Sequence, residues 1–232
     1  MEILDFAPIA SGICWTVTYF ALVYRGFKDK SYGMPIAALA LNFAWETTFS
    51  VIYPPADGGF VLTIINTIWM ICDIGIVVTY FLYGFKYFKK QYGISKNIFY
   101  VGSVLAFVLA FLMMLTGGQF FGSFAQYFKS DIFEGAQFIA LMQNAIMSVL
   151  FVAFFYSRKK MGSSIEGQSI YAAIAKMIGT SFTVGIYYIV THPGTWYFMG
   201  VMIATSLIFD MWYCIILYKE IKAQGYSPFS QF

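Results

Sequence analysis

Three acidic residues lie deep inside apolar stretches of this 232-residue chain: Glu46, Asp73 and Asp210. A charged carboxylate near the middle of a bilayer costs at least ~2.5–3.5 kcal/mol, so such residues are rare in membrane proteins and usually functional. A carboxyl group buried away from cations favours its protonated form, from which it can donate a proton. The three acids therefore indicate proton-transfer chemistry inside a membrane.

The composition indicates an all-α protein embedded in the bilayer. Hydrophobic residues make up 60% of the chain, charged residues only 11%, and the mean hydropathy is +0.71, which is too apolar for a soluble domain. We therefore predict a single transmembrane domain over residues 1–232, a multi-pass integral membrane protein. Its bundle has seven helices of roughly the 20 residues that a span requires, at about 7–24, 34–53, 60–84, 98–116, 136–156, 170–190 and 195–218.

The basic residues predict the orientation of this bundle. In a seven-span arrangement Lys129 falls on one side and Lys176 lies within the sixth span. The other basic residues fall on the opposite side: Arg25, Lys28, Lys30, Lys86, Lys89, Lys90, Lys96, Arg158, Lys159, Lys160, Lys219 and Lys222. By the positive-inside rule, the N-terminus is outside and the C-terminus cytoplasmic. The net charge of +3 reflects this topology and does not predict nucleic-acid binding.

Polar and aromatic residues recur at helical spacing around each acid. Because polar groups in lipid need internal partners, these stripes should meet inside the bundle. The second span carries Asn42, Glu46, Phe49 and Tyr53; the third Asn66, Trp69, Asp73 and Tyr80; the fifth Gln137, Asn144 and Ser148; the sixth Lys176, Thr180, Thr183 and Tyr187; the seventh Ser206, Asp210 and Tyr213. The fourth span is nearly featureless and should face lipid.

Each stripe also has a simpler interpretation. Ordinary hydrogen bonds between membrane helices explain Asn66, Asn144, Gln137 and the hydroxyl groups. Asp73 is either a structural acid or a group on the substrate side. Asp210 has a depth similar to that of Lys176, so an ion pair between them is the alternative to catalysis. Glu46 has no cation at its depth, which favours function there.

The sequence gives no reason to expect a metal or a cofactor. The three cysteines lie within spans without ligand spacing, and the single histidine, His192, precedes Pro193-Gly194 in a turn. A retinal protein needs a lysine deep in its last helix, whereas the seventh span has none before Lys219.

The segment Asn42-Phe43-Ala44-Trp45-Glu46, followed by Phe49 and Tyr53-Pro54, resembles the small membrane-bound terpene cyclases, as do Trp69, Asp73 and Asp210. These are the paspaline-type and meroterpenoid cyclases of fungi, with some bacterial relatives. The resemblance covers nearly the whole chain, and Asn-x-Ala-Trp-Glu is its specific part. It implies cyclisation started by protonation, with Glu46 and Asp210 as the acid pair, without metal or cofactor.

A carbocation reaction fits the residues around these acids. A protonated Glu46 could act as general acid on an epoxide or alkene of a prenylated, lipid-soluble substrate, with Asp210 as second acid or final base and Asp73 as a tuning acid. Aromatic faces stabilise cations by ~0.5–2 kcal/mol each. The candidate substrate-binding residues are Asn42, Trp45, Phe49, Tyr53, Asn66, Trp69, Tyr80, Asn144, Tyr187 and Tyr213.

We expect one elongated, aromatic pocket that joins Glu46 near the outer face to Asp210 deeper in the membrane. It should open sideways to lipid or outward past Pro54-Pro55. The alternative function is a small proton-coupled transporter or channel that uses the same three carboxylates as a relay. Inverted repeats and broken helices at the midplane, which often mark transporters, are not visible in the sequence.

Overall fold

The computed structural model describes residues 6–54, 60–128, 131–191 and 197–230, and the regular secondary structure in these ranges is helical. The elements are α1 (Phe6–Lys28), α2 (Ile36–Thr47) with a π-helical extension (Thr48–Ile52), α3 (Phe60–Tyr92), α4 (Lys96–Gly122), α5 (Ala125–Phe128), α6 (Ile132–Lys160), α7 (Ile170–Met177) with a π-helical extension (Ile178–Gly185), α8 (Ile186–Thr191), α9 (Tyr197–Ala223) and a short 3-10 helix (Pro228–Ser230).

Within the described ranges, six helices are long and apolar enough to cross a membrane: Phe6–Lys28, Thr63–Tyr92, Lys96–Gly122, Glu134–Lys160, Ile170–Val190 and Tyr197–Ala223. The fifth of these joins α7, its π-helical extension and α8 into one continuous segment, called here the α7–α8 rod. The second predicted span corresponds to the shorter apolar helix Ile36–Ile52. The all-helical membrane architecture predicted from the composition is thus confirmed, with six helices of full spanning length in the described ranges.

The C-terminal ends of α1, α3, α6 and α9 lie together at one end of the bundle, and they carry most of the basic residues. Three contacts join them: Lys86 donates to the Lys30 carbonyl at 2.9 Å, Lys90 to the Met161 carbonyl at 2.7 Å, and Lys159 pairs with Glu220 at 2.6 Å. The structure therefore has one strongly basic end. Lys129, predicted for the opposite side, lies outside the described residues.

Two loops interlock at this basic end and fix where α2 begins. Gly167 has φ +75°, and a Cβ atom there would lie 2.8 Å from the Tyr32 carbonyl oxygen, so only glycine allows the approach. The buried Arg158 guanidinium donates to the same carbonyl at 3.0 Å and lies 3.3 Å from the centre of the Tyr87 ring. The α1–α2 turn is thus held by the α6–α7 loop, and α2 starts from a fixed point.

Helix α2 is surrounded by other helices, whereas α4 is largely at the surface. Helix α2 contacts α3, α4 and α6, and its residues Asn42, Ala44, Trp45 and Glu46 are buried. On α4, large apolar side chains such as Val104, Leu105 and Leu112 are exposed, as expected for a helix with a lipid-facing side. The helix that carries Glu46 is therefore central, and the featureless fourth span is peripheral.

The π-helical extensions lie where helices approach each other closely. A Cβ atom on Gly179 would be 2.9 Å from the Cys14 Cβ and 3.1 Å from the Trp15 ring, so this glycine brings the α7–α8 rod against α1. The Ser11 hydroxyl then donates to the Gly179 carbonyl at 2.7 Å. Such π-helical turns leave carbonyl groups free for partners of this kind and are frequent at functional sites.

Candidate active site

A cavity of about 270 Å³ lies inside the bundle, between α1, α2, α3, α6 and the α7–α8 rod. Most of its surface is apolar, and aromatic side chains from all five elements except α6 contribute to it. The lining residues are Pro8, Ser11, Trp15, Tyr19, Asn42, Trp45, Glu46, Asn66, Trp69, Gln137, Ala140, Leu141, Gln143, Asn144, Gly179, Thr180, Val184, Tyr187 and Tyr188. Apolar pockets with a few convergent polar groups are typical of small-molecule sites.

Glu46 is an acid in the lining of this cavity, and its side chain is almost fully buried, with 2% exposure. Its Oε1 oxygen accepts a hydrogen bond of 2.8 Å from the Tyr19 hydroxyl. Its Oε2 oxygen has no hydrogen-bond partner among the described residues. One carboxyl oxygen is therefore held by a hydrogen bond from the protein, and the other is not.

Behind Glu46, a chain of hydrogen bonds connects α1, α2 and α3. The Asn42 side-chain nitrogen donates to the Tyr19 hydroxyl oxygen at 2.6 Å and to Asp73 Oδ2 at 2.8 Å. Asp73 has 0% exposure and is not part of the cavity lining. The two acids thus have different positions, because Glu46 reaches the cavity and Asp73 reaches only the network behind it.

Aromatic rings form much of the cavity wall, and several are held by polar contacts. The indole nitrogen of Trp45 donates to the Ala136 carbonyl at 2.9 Å, and that of Trp69 to the Thr16 hydroxyl at 3.0 Å. The Tyr19 ring lies 5.7 Å from Trp15 and 5.9 Å from Trp69 between ring centres. These contacts fix the rings and leave their apolar surface to the cavity.

A second set of polar groups in the lining has unused hydrogen-bonding capacity. Neither side-chain polar atom of Asn66, which is 1% exposed, has a partner within the described ranges. The same holds for Gln143 Oε1, Asn144 Oδ1 and Thr180 Oγ1. Buried polar atoms without partners are costly and need an explanation. Their common position in the lining suggests that they serve a bound molecule.

Sequence comparison then decides the family. The profile of the family described as Pyr4-like transmembrane terpene cyclases matches residues 1–223. The chain belongs to this family.

Three similar proteins come from fungi. Pyr4-family terpene cyclase mfmH of Annulohypoxylon moriforme is 28% identical over 182 residues, which cover 78% of this chain and 69% of the relative. Terpene cyclase pyr4 of Aspergillus fumigatus is 40% identical over 77 residues, covering 33% of this chain and 31% of that protein. Terpene cyclase ascF of Acremonium egyptiacum is 36% identical over 87 residues, covering 38% and 31%. No solved structure matches the chain.

Membership confirms the resemblance based on Asn-x-Ala-Trp-Glu and shows a multi-pass membrane terpene cyclase. The proton-coupled transporter or channel is therefore not the function of this family. Among the residues that the structure describes, no three His, Cys, Asp or Glu side chains lie close enough together to hold a metal ion.

In this cyclase the predicted placement of Asp210 needs correction. Both Asp210 oxygens accept from the Lys176 ammonium group, at 2.7 and 2.8 Å, and Lys176 also donates to the Ser148 hydroxyl at 2.6 Å. Both charged residues are at most 2% exposed, and neither lines the cavity. Lys176 and Ser148 are each one helical turn from a lining residue, Thr180 and Asn144. The ion pair thus lies outside the cavity, about one helical turn from its lining. The prediction that one pocket joins Glu46 to Asp210 is wrong.

Four predicted substrate-binding aromatics also lie outside this cavity lining. Their stripes continue beyond the cavity, where the rings pack against other helices or bond elsewhere. Phe49 packs against Trp45, Tyr53 accepts from Gln119, Tyr80 hydrogen-bonds with Ser103, and Tyr213 donates to Gln168. The other predicted binding residues do line the cavity: Asn42, Trp45, Asn66, Trp69, Asn144 and Tyr187. Pro55, at the predicted mouth, and His192 lie outside the described residues.

Sequence reasoning missed the contribution of α1. Ser11, Trp15 and Tyr19 all line the cavity, and Tyr19 holds Glu46 directly. Their spacing of i, i+4 and i+8 places them on one helical face, which was a usable signal. Helix α1 carries no acid on that face, so the buried acids alone do not point to it. Gln143, next to the predicted Asn144, was missed in the same way.

Proposed function

We propose that this Pyr4-like cyclase starts its reaction by protonating a prenylated, lipophilic substrate through Glu46 Oε2. The supporting observation is that this oxygen belongs to a buried carboxyl group in an aromatic cavity and has no partner in the described part of the chain. A general acid must lie within hydrogen-bond reach of the atom that it protonates. A substrate group inside the cavity is the recipient that this position favours.

The proposed reaction is an isomerisation in which every proton is accounted for. The Oε2–H bond of Glu46 breaks, and its proton adds to a terminal epoxide oxygen or a terminal alkene carbon. A carbocation and a carboxylate result, and the double bonds of the prenyl chain attack the cation in turn to form rings. Loss of a C–H proton next to the last cation ends the sequence. The Glu46 carboxylate, in the same cavity, is the base that the geometry favours for this proton.

The aromatic wall supports this chemistry. A carbocation needs electron-rich neighbours that do not bond to it, and aromatic faces stabilise a cation by about 0.5–2 kcal/mol each. Trp15, Trp45 and Trp69 are in the lining, and Trp45 and Trp69 have their indole nitrogens bonded to protein oxygens. Because those nitrogens are occupied, these rings act in the cavity through their carbon surface.

The unpartnered polar groups indicate where a polar part of the substrate binds. Asn66, Asn144 and Thr180 come from three different elements and all line the cavity. A purely hydrocarbon ligand would leave these atoms unsatisfied, which is unfavourable in a buried site. We therefore assign them to a hydrogen-bonding head group attached to the prenyl chain.

Replacing Asn66 by Leu should weaken binding of a substrate that has such a head group. The lost hydrogen bonds leave a buried polar group on the ligand unpaired, at a cost of about 1–3 kcal/mol, or roughly 5- to 150-fold in Kd. We expect KM to rise accordingly and kcat to change little. The matched control is an analogue without hydrogen-bonding groups on its head. Equal losses for both ligands would contradict the assignment of Asn66.

We further propose a single domain of seven spans, with Ile36–Ile52 as the second and the basic end in the cytoplasm. The support is the clustering of the basic helix ends together with the positive-inside rule. Helix α2 starts from the loops at the basic end and packs against α3, α4 and α6, which are long enough to span a bilayer. At 1.5 Å per residue its length approaches that of a thin bilayer core.

The proposed activity is tested with the full chain in membranes and a panel of prenylated aromatic substrates. Half carry a terminal epoxide, and half carry only terminal alkenes. We expect cyclised products that are isomers of one of these substrate classes. In D₂O, alkene protonation leaves one deuterium on carbon, whereas epoxide protonation leaves it on an oxygen that exchanges back in water. No cyclised product from any member of either class would contradict the proposal.

A further inference from the structure

We propose that Tyr19, Asn42 and Asp73 set the direction of the hydrogen bonds around Glu46, so that its acidic proton resides on Oε2 and faces the cavity. The inference rests on the proposed role of Glu46 as general acid. It makes Tyr19 and Asn42 positioning residues of the reaction, although only Asn42 belonged to a predicted stripe. It also gives the buried Asp73 a specific task without contact with the substrate.

The direction begins at Asn42, because a side-chain amide nitrogen only donates. Its two N–H bonds serve two acceptors on different helices, the Tyr19 hydroxyl oxygen at 2.6 Å and Asp73 Oδ2 at 2.8 Å. In this orientation the Asn42 amide uses both of its N–H bonds, one for each acceptor. The Tyr19 oxygen therefore receives a hydrogen bond from Asn42.

Tyr19 passes this direction on to Glu46. Its oxygen already accepts from Asn42, so its single hydrogen points to the other neighbour, Glu46 Oε1, at 2.8 Å. In a protonated carboxyl group the carbonyl oxygen is the better acceptor, so the bond from Tyr19 favours Oε1 as the carbonyl oxygen. This places the acidic hydrogen on Oε2, the oxygen without a partner among the described residues.

The same arrangement suits Glu46 after it has lost its proton. The Tyr19 hydroxyl continues to donate to Oε1, which now carries part of the negative charge, and no group has to turn. Donors aligned in advance with a developing charge are an effective form of catalysis in a site that excludes water. Tyr19 and Asn42 are 1–3% exposed, so water does not compete strongly for these bonds.

The first test is Tyr19→Phe, which keeps the ring and removes the donor. We expect kcat to fall roughly 10- to 100-fold with KM nearly unchanged. The reason is that the negative charge developing on Glu46 loses the hydrogen bond from Tyr19. The C=O stretching band of the protonated Glu46, identified by its disappearance in Glu46→Gln, should move to higher infrared frequency. An unmoved band would overturn the inference, and so would unchanged turnover.

The sharper test exchanges the two partners, as Asn42→Asp combined with Asp73→Asn. This double variant keeps the number of carboxyl groups, the side-chain volumes and a hydrogen bond between positions 42 and 73. It presents Tyr19 with an acceptor in place of a donor, so the Tyr19 hydrogen turns away from Glu46. We expect the same fall in kcat as in Tyr19→Phe, in a protein of near wild-type thermal stability. Near wild-type turnover would show that the direction of the bonds is irrelevant.

The infrared measurement separates this inference from the proposed function. If Glu46 is not the general acid, Glu46→Gln retains turnover, while Tyr19→Phe still shifts the Glu46 band. If Glu46 is the acid but the direction is wrong, Glu46→Gln is inactive and the band stays in place in Tyr19→Phe. Absence of any carboxyl band that depends on Glu46 would overturn the placement of the proton on Oε2.

Discussion

Glu46→Gln should abolish cyclisation in a protein that is folded and inserted normally. The glutamine oxygen can accept the Tyr19 hydrogen bond that Oε1 accepts at 2.8 Å, and its NH₂ group takes the place of Oε2. Shape and hydrogen bonding are thus kept, and only the acidic proton is lost. Positioned proton transfer contributes roughly 10²–10⁴-fold, and in the proposed mechanism no other group starts the reaction. The measurement is product formed per folded protein, with thermal stability recorded on the same sample.

Glu46→Asp is the matched control, because it keeps the acid and withdraws it from the cavity by one methylene group. We expect it to have reduced but measurable turnover, above that of Glu46→Gln. Asp73→Asn provides a second comparison, since Asp73 is equally buried but does not line the cavity. Its asparagine oxygen can still accept from Asn42, so we expect a smaller loss of turnover than in Glu46→Gln. Substantial cyclisation by Glu46→Gln would remove Glu46 as the proton donor.

Asp210→Asn should cause the largest loss of stability of any single change considered. It removes the charge that both Asp210 oxygens present to Lys176, at 2.7 and 2.8 Å, and leaves a buried ammonium group with only neutral partners. Breaking a buried ion pair in this way costs about 3–5 kcal/mol, whereas replacing both partners by less polar groups is often neutral. Adding Lys176→Met should therefore restore most of the stability, as measured by thermal unfolding in detergent.

The stable double variant also decides whether Asp210 has a part in catalysis. Because Asp210 is bound to Lys176 and absent from the cavity lining, we expect Lys176→Met with Asp210→Asn to regain cyclisation along with stability. A stable double variant without activity would return Asp210 to the role of second acid or base that the family resemblance implied. Full stability of Asp210→Asn alone would contradict the ion pair as a structural element.

Much of the site could be predicted because it follows simple helical spacing on α2 and α3. Asn42 and Glu46 are one turn apart and both line the cavity, as do Asn66 and Trp69. The expectation that polar groups turn inward holds for these residues, since lipid offers them no partners. The membrane class followed from composition alone, because 60% hydrophobic and only 11% charged residues are unusual for a soluble domain.

The parts that were missed depend on which helices face each other, and spacing does not contain that information. Asp210 and Lys176 face the interior of the bundle as Glu46 does, yet they pair with each other and lie outside the cavity lining. Phe49 and Tyr80 continue the predicted stripes, but they lie outside the cavity lining, where Phe49 packs against Trp45 and Tyr80 hydrogen-bonds with Ser103. The spacing on α1 places Tyr19 on one face with Ser11 and Trp15, but its bond to Glu46 depends on how α1 lies against α2.

The π-helical stretch Ile178–Gly185 makes the cavity wall tolerant of changes in chain length. A π-helical turn holds one residue more than an α-helical turn, so deleting one residue there can restore regular α-helix without breaking the rod. Because the extra residue is taken up within the π-helical turn, the deletion would leave Tyr187 and Tyr188 near their present direction relative to Lys176. The two lining rings and the buried ion pair would both be kept. Natural insertions or deletions of a single residue at this point would therefore leave related cyclases with similar cavities on an unchanged scaffold.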